Sequence, residues 1–338
     1  METNNYIPAP GRYEAMDYRR CGQSGIQLPV ITLGLWQNFG TDAPWERIRE
    51  MAHYAFDNGI CHFDLANNYG PVPGAAEENF GKLLQGSFKP YRDQLLISTK
   101  AGYGMWDGPY GDWGSRKYLL ASLDQSLRRM KLDYVDIFYS HRFDPATPVE
   151  ETMEALVQAV RQGKALYAGI SNYPTEAART AYAYLREAHV PCLLYQGRYN
   201  IIDRHLDTSG VLDLTRDSRA GFIAFSPLQQ GLLTGRYLDG IPAGSRMAGK
   251  KTSLSREALT PQLLQALKAL NELAAGRGQT LAQMALSWLL QDPRVTSVLI
   301  GASSTAQLAE NLAAFRNTKF EADELARIEE ISAPIQIR

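Results

Sequence analysis

The sequence predicts an α/β fold, a single (β/α)8 TIM barrel with an N-terminal β-hairpin and extra helices. Counting from Ile31-Thr32-Leu33-Gly34-Leu35 there are eight short apolar segments, most separated from the next by an amphipathic helical stretch. Strands so continuously apolar belong to parallel sheets covered by helices. Eight such units in about 300 residues match a closed barrel. The alternative is an open doubly wound sheet, which usually carries a glycine-rich phosphate turn after its first strand. Here that turn runs Gly34 to Gly40 without a GxGxxG pattern.

Residues 17–29 hold two alternating runs around Gln23-Ser24-Gly25 and read as a hairpin. A helix over about 44–57, opened by Pro44, follows the first strand. Strand 61–66 then precedes helix 76–84, strand 94–100 helix 115–130, and strand 135–141 helix 148–162. Strand 165–171 leads to helix 175–188, strand 192–196 to a helical stretch near 207–219, and strand 221–228 to helices near 261–275 and 279–291. Strand 297–303, helix 305–315 and a last amphipathic helix at 321–332 complete one domain spanning 1–338, its core about 17–332. Segments 102–114 and 229–260 are long for simple connectors, and such loops are often functional.

With 45% apolar and 21% charged residues, the 338-residue chain has the composition of an ordinary globular enzyme. A net charge of −1 makes no electrostatic case for nucleic acid or an anionic membrane. No apolar run approaches the roughly 18–20 residues that span a bilayer, and the first residues lack a signal-peptide core. Three cysteines stand far apart without CxxC spacing, and five scattered histidines contain no HExxH, so no metal site is expected. The expected compartment is the reducing cytoplasm.

In a barrel, active sites form where strands end at the C-terminal face. Asp64, Lys100 and His141 end three consecutive strands, and Tyr69 stands in the Asn/Gly/Pro-rich loop after Asp64. Singly, each has an ordinary structural reading: a buried Asp–Lys pair, a core histidine, a loop-capping tyrosine. Together they cost several kcal/mol of desolvation each unless they satisfy one another. A phenol beside an ammonium that is itself paired with a carboxylate is a proton donor. The ammonium is expected to draw the phenol pKa down from about 10 towards working pH. With a histidine to orient a carbonyl, carbonyl reduction by a nicotinamide is the natural chemistry.

At these residues the chain resembles the aldo-keto reductase family, over about 17–332. The resemblance rests on DLANNYG (64–70), ISTKAG (97–102), YSHR (139–142), GISNY (169–173), YQGRYN (195–200), FSPLQQGLLTGRY (225–237) and GASSTAQLAEN (301–311). It is strongest to the branch holding voltage-gated potassium channel β subunits and bacterial reductases of L-glyceraldehyde 3-phosphate. The resemblance implies Tyr69 as general acid, Lys100 as its modulator, Asp64 as partner of Lys100, and His141 as the carbonyl-orienting group. It implies NADP(H), with Ser171, Asn172 and Gln196 on the carboxamide and Phe225 stacked on the nicotinamide. Asp64 and Trp36 also stand at cofactor positions. Backbone around Ser226, Pro227, Leu228, Gln230 and Gly231 would follow the pyrophosphate, with charge from Arg236 and Arg246. Gly301, Ser303, Gln307, Glu310 and Asn311 match the adenosine site, where a helix starting near Ser304 suits a phosphate. Trp36, Trp106 and Tyr110, with Tyr69 and His141, are candidates to wall a small aldehyde such as L-glyceraldehyde 3-phosphate or methylglyoxal. The 2′-phosphate site lacks a Lys/Arg cluster, so a preference for NADP rests on Arg236 and neutral donors.

Other implications are a homo-oligomer, tetramer or larger, and no membrane insertion. The rival reading is a nicotinamide-binding β-subunit-like module regulating a membrane partner, against which His141 stands, since channel subunits typically carry Asn there. An isomerase or lyase on the same barrel would lack the two cofactor segments.

Overall fold

The structure, a computed structural model, describes residues 6–243, 247 and 259–335. Strands β1 (Tyr18–Arg20) and β2 (Gln27–Pro29) form the hairpin, antiparallel as expected. The barrel strands are β3 (Ile31–Gly34), β4 (His62–Asp64), β5 (Leu96–Ala101), β6 (Val135–Ser140), β7 (Ala165–Ser171), β8 (Cys192–Arg198), β9 (Gly221–Phe225) and β10 (Ser297–Ile300). They pair in parallel, in sequence order, and β10 closes onto β3. The eight-stranded closed barrel is the fold the sequence predicts.

Helices α1 (Trp45–Asp57), α2 (Ala75–Gln85), α3 (Arg116–Met130), α4 (Val149–Arg161) and α5 (Thr175–Glu187) follow the strands as expected. The helical stretch near 207–219 is two short helices, α6 (His205–Ser209) and α7 (Val211–Asp217), broken at left-handed Gly210. After α8 (Pro261–Gly276) and α9 (Leu281–Gln291) come α10 (Thr305–Leu312) and α11 (Ala322–Ser332). Several boundaries are set by side chains that satisfy the first free amides of a helix. Ser115 caps α3, Thr260 caps α8, Thr280 forms a capping box with Gln283 on α9, and Ser304 caps α10.

Several strand ends differ from the reading of the sequence: the strand at 61–66 stops at Asp64, and that at 192–196 runs on to Arg198. The strand at 221–228 stops at Phe225, because Ser226 turns to a left-handed φ of 51° and a 3-10 turn over Gln229–Thr234 follows. The strand at 297–303 stops at Ile300. Apolar content beyond those points reflects packing of the turn rather than pairing in the sheet.

Alternate strand residues point inward and outward. Outward, Phe63 meets Phe80 of α2 with ring centroids 5.0 Å apart. A second apolar cluster joins Cys21 and Leu28 of the hairpin region to Ile137, Tyr139, Leu194, Ile223 and Leu299 of the barrel strands. Strands β3, β4 and β5 also carry polar residues, all fully buried: Thr32, His62, Asp64, Ser98 and Lys100.

Helices α2 and α3 come into close contact at Gly81, where an added Cβ would lie 2.6 Å from Arg129 O. Backbone cannot retreat as a flexible side chain can, so Gly81→Ala should overpack this contact and cost about 1–3 kcal/mol. Urea unfolding should show a lower midpoint at unchanged slope; an unchanged midpoint would mean the helices separate freely.

Candidate active site

Asp64 ends β4, paired in register with Ser98, and Lys100 lies two residues further along β5, opposite Tyr139. Lys100 Nζ donates to Asp64 Oδ2 at 2.5 Å and to Leu65 O at 2.6 Å, and reaches the Tyr69 hydroxyl at 3.4 Å. Those are all the hydrogens an ammonium has. Asp64 Oδ1 accepts from Ser98 Oγ at 2.6 Å and from Gln196 Nε2 at 3.2 Å. The pair is thus fully buried and fully satisfied, as a buried ion pair has to be.

The loop that presents Tyr69 is held by backbone bonds at each step. Leu65 N donates to Ser98 O and Asn67 N to Lys100 O, which extends the β5 register past the end of β4. Gly70 turns with φ of 100°, a left-handed conformation that a side chain resists, and its N–H donates to Trp36 O. Tyr69 O then accepts from Ala76 N at the start of α2. His141 follows β6 and stands edge-on to Tyr69, centroids 5.8 Å apart, and to Tyr103 at 4.7 Å.

The electrostatics fix which groups carry protons. Burial, then Asp64 and Tyr103, raises the Tyr69 phenol well above its ordinary value. This corrects the expectation of a lowered phenol: burial opposes phenolate, and the carboxylate that holds Lys100 acts in the same direction. Burial, assisted by Lys100 and Arg142, pushes His141 well below its ordinary value, so the imidazole is neutral. Burial also lowers Lys100, while Asp64 works to keep it charged.

A cavity of about 390 Å³ opens beside Tyr69 and Trp36. Its walls include Phe225, Ser226, Pro227, Leu228, Gln230, Gly231 and Arg236 on one side and Gly301, Ser303 and Gln307 on another. Exposed Arg236 makes no ion pair among the described residues, so its charge is free for an anion. Ser303 N and Oγ both donate to Gln307 Oε1, and Asn38 Nδ2 donates to Ala302 O. Asn311, one turn beyond Gln307 on α10, is buried with an Nδ2 that finds no partner among the described residues. A cation on this wall, and a buried amide one turn beyond Gln307 with no partner among the described residues, fit a ligand with both phosphates and ring acceptors.

The profile of the Aldo/keto reductase family matches residues 30–333. The chain belongs to that family. It is an oxidoreductase acting on a small molecule, and members of the family use NAD(P)H. The chain is 57% identical over 328 residues to the L-glyceraldehyde 3-phosphate reductase of Escherichia coli K12, covering 96% of this chain and 95% of that one. It is 33% identical over 302 residues to a probable voltage-gated potassium channel subunit beta of Arabidopsis thaliana, covering 88% of this chain and 91% of the relative. A putative subunit of the same kind in Schizosaccharomyces pombe is 32% identical over 330 residues, covering 95% of each chain.

In this aldo/keto reductase the structure brings Asp64, Lys100, Tyr69 and His141 together, with Trp36 at 6.5 Å from the Tyr69 ring. Gln196, read from the sequence as a carboxamide partner, gives its amide nitrogen to Asp64, leaving its carbonyl oxygen for a ligand. Asn172, at a left-handed φ of 56°, donates to Ser171 Oγ and to His141 O. Glu310 accepts from Thr280 and Gln283 rather than facing the cavity. Trp106 packs against Tyr118 and Tyr110 lies under Lys117, so neither lines the cavity as a substrate wall. Arg246 lies outside the described residues, as does most of the loop 247–260.

Tyr103 and Asn38 were missed by sequence reasoning, because each is an unremarkable residue in an irregular loop. Ser98 and His62 were missed too, but each sits two residues before a predicted site residue on the same strand face, a signal the period of a strand supplies.

Among the described residues no helix is long and apolar enough to cross a membrane, and no group of His, Cys, Asp or Glu could hold a metal.

Removing one partner of the buried pair should expose its cost. Lys100→Met leaves Asp64 buried and unpaired and should lose about 3–5 kcal/mol of stability. Adding Asp64→Asn should recover most of that loss in urea unfolding. Equal destabilisation of the single and double variants would show that the pair contributes only packing.

Proposed function

We propose that this aldo/keto reductase reduces small aldehydes, L-glyceraldehyde 3-phosphate or methylglyoxal among them, with NADPH and with Tyr69 as general acid. The observation that carries the reading is the contiguous set Asp64, Lys100, Tyr69 and neutral His141 at the end of a cavity lined by Phe225 and Arg236. Its nearly end-to-end similarity to a named L-glyceraldehyde 3-phosphate reductase supports the substrate class.

NADPH, when bound, supplies hydride to the carbonyl carbon. Phe225 would stack on its nicotinamide, Arg236 would meet phosphate, and Ser303, Gln307 and Asn311 would hold the adenosine half. The protein's own part is the proton. Because Lys100 donates to the Tyr69 oxygen, the Tyr69 hydrogen is directed elsewhere and is free for a carbonyl oxygen. Its raised pKa keeps that hydrogen in place at neutral pH. Neutral His141 can donate one ring N–H to the same oxygen, which polarises the carbonyl and fixes its orientation without adding a charge.

The signs of the two shifts define the pH profile of reduction. Tyr69 is competent while protonated and is lost only as pH rises through its folded value, above its ordinary value of about 10. His141 is competent while neutral and is lost only as pH falls through its lowered value, below about 6.5. Turnover followed at the nicotinamide absorbance should therefore be flat from about pH 7 to about pH 9. Tyr69→Phe should lower kcat by about 10²- to 10⁴-fold with NADPH binding retained. Arg236→Ala should raise KM for NADPH by about 10-fold, the equivalent of one charge-assisted hydrogen bond, and KM for NADH by less. An aldehyde panel that shows no reduction, or a Tyr69→Phe variant as fast as wild type, would overturn the reading.

A further inference from the structure

Inside the barrel a chain of buried polar groups leads away from Asp64, and the proton transfer described above makes no use of it. Ser297 Oγ donates to Pro29 O at 2.7 Å, and Thr32 Oγ1 lies 2.8 Å from Ser297 Oγ. His62 joins Thr32 to Ser98, with Nδ1 3.0 Å from Thr32 Oγ1 and Nε2 3.0 Å from Ser98 Oγ. Ser98 Oγ then lies 2.6 Å from Asp64 Oδ1. Ser297, Thr32, His62 and Ser98 are all fully buried.

Hydrogens can be counted along this chain. Its two ends, the Pro29 carbonyl and the ionised Asp64, only accept. Five contacts separate them, while Ser297, Thr32, Ser98 and a neutral His62 bring one hydrogen each. One contact is then left with two lone pairs facing each other in a fully buried place, which native interiors avoid. A single added proton completes all five contacts, in either of two arrangements. Placed on His62, it makes an imidazolium that donates to Thr32 and Ser98, while Ser98 donates to Asp64. Placed on Asp64, it makes an acid that donates to Ser98, while Ser98 donates to His62 Nε2 and His62 Nδ1 to Thr32. In both, Thr32 donates to Ser297 and Ser297 to Pro29, so no heavy atom moves.

We propose that this chain holds one such proton and that Ser98 passes it between His62 and Asp64, which makes His62 and Ser98 positioning residues for the acid Tyr69. What the proton does rests on the reading of Tyr69 given above; its presence in the chain does not. When the Tyr69 O–H bond breaks and the product O–H bond forms, His62 Nε2–H passes to Ser98 Oγ and the Ser98 proton passes to Asp64 Oδ1. Lys100 then exchanges one counter-ion, the carboxylate, for another, the phenolate. Asp64 is among the groups that oppose phenolate at Tyr69, and it is neutralised as the phenolate appears. Solvent restores the Tyr69 proton after product leaves, and the chain reverses. The charges facing His62 are Asp64 on its own strand and Lys100 on β5; Thr32 on β3 and Ser297 on β10 carry none. Burial pushes the imidazole down to about 4, Lys100 acts in the same direction, and Asp64 acts against them. The hydrogen count works with Asp64.

A neutron structure of the deuterated full-length protein counts the deuterons directly. Five between Pro29 and Asp64 are expected; four, with one contact empty, would overturn the proposal. Kinetics test the transfer. Ser98→Ala should lower kcat by about 10-fold at unchanged KM for NADPH, and turn a curved proton inventory in mixed light and heavy water linear. Ser98→Thr, which keeps the hydroxyl, should restore both. A Ser98→Ala variant with wild-type kcat and a curved inventory would refute the shuttle. Absence of any aldehyde reduction by the wild-type protein would instead refute the proposed function, leaving the deuteron count to decide the store.

Discussion

The ion pair between Asp64 and Lys100 is the constraint on which the rest of the site depends. Two opposite charges lie 2.5 Å apart at the centre of the barrel mouth, with no exposure to solvent. Such a pair survives only when every remaining donor and acceptor is used. The surrounding structure reads as the means of using them. Ser98 and Gln196 come from β5 and β8 to the carboxylate, and Leu65 turns its carbonyl to the ammonium. The hydrogen left over points at Tyr69, whose loop is pinned by the same register that aligns the pair. A site of this kind is assembled by barrel closure, since its groups come from strands that meet only in the folded chain.

The pair also decides the character of the acid. An isolated ammonium beside a phenol would favour phenolate; one committed to a carboxylate does so far less. Tyr69 is accordingly held as a phenol, and His141 as a neutral imidazole, by burial in the same wall. Neither group has to change charge to face a neutral carbonyl, so both would present a donor before any chemistry begins. The cavity that Tyr69 lines is built from the turn after β9 and the segment leading into α10. On the proposed function, hydride would reach the carbonyl from this cavity while Tyr69 and His141 meet its oxygen.

Much of this was legible in the sequence because barrel strands are apolar runs and their chemistry sits at the ends. Asp64, Lys100 and His141 stand out as polar residues closing apolar segments, and Tyr69 as the phenol in a loop that has to be irregular. The strand bounds at 221–228 and 297–303 were overestimated because Pro227, Leu228 and Ala302 continue the apolar run while serving a turn. The direction of the Tyr69 shift was not legible: it depends on how deeply the hydroxyl is buried and on the distance to Asp64, and spacing along the chain encodes neither. Trp106 and Tyr110 show the same limit, since a loop aromatic faces a cavity or a neighbouring side chain according to the path of its backbone.

The central claim is that Tyr69 waits as a protonated acid, held so by burial beside a committed ion pair. Carbon NMR of protein labelled at the tyrosine Cζ follows each phenol through a pH titration, with the Tyr69 resonance assigned by its loss in Tyr69→Phe. The Tyr69 signal should keep its phenol shift up to about pH 10 and beyond. A Tyr69 resonance that moves to the phenolate position near neutral pH would contradict the account.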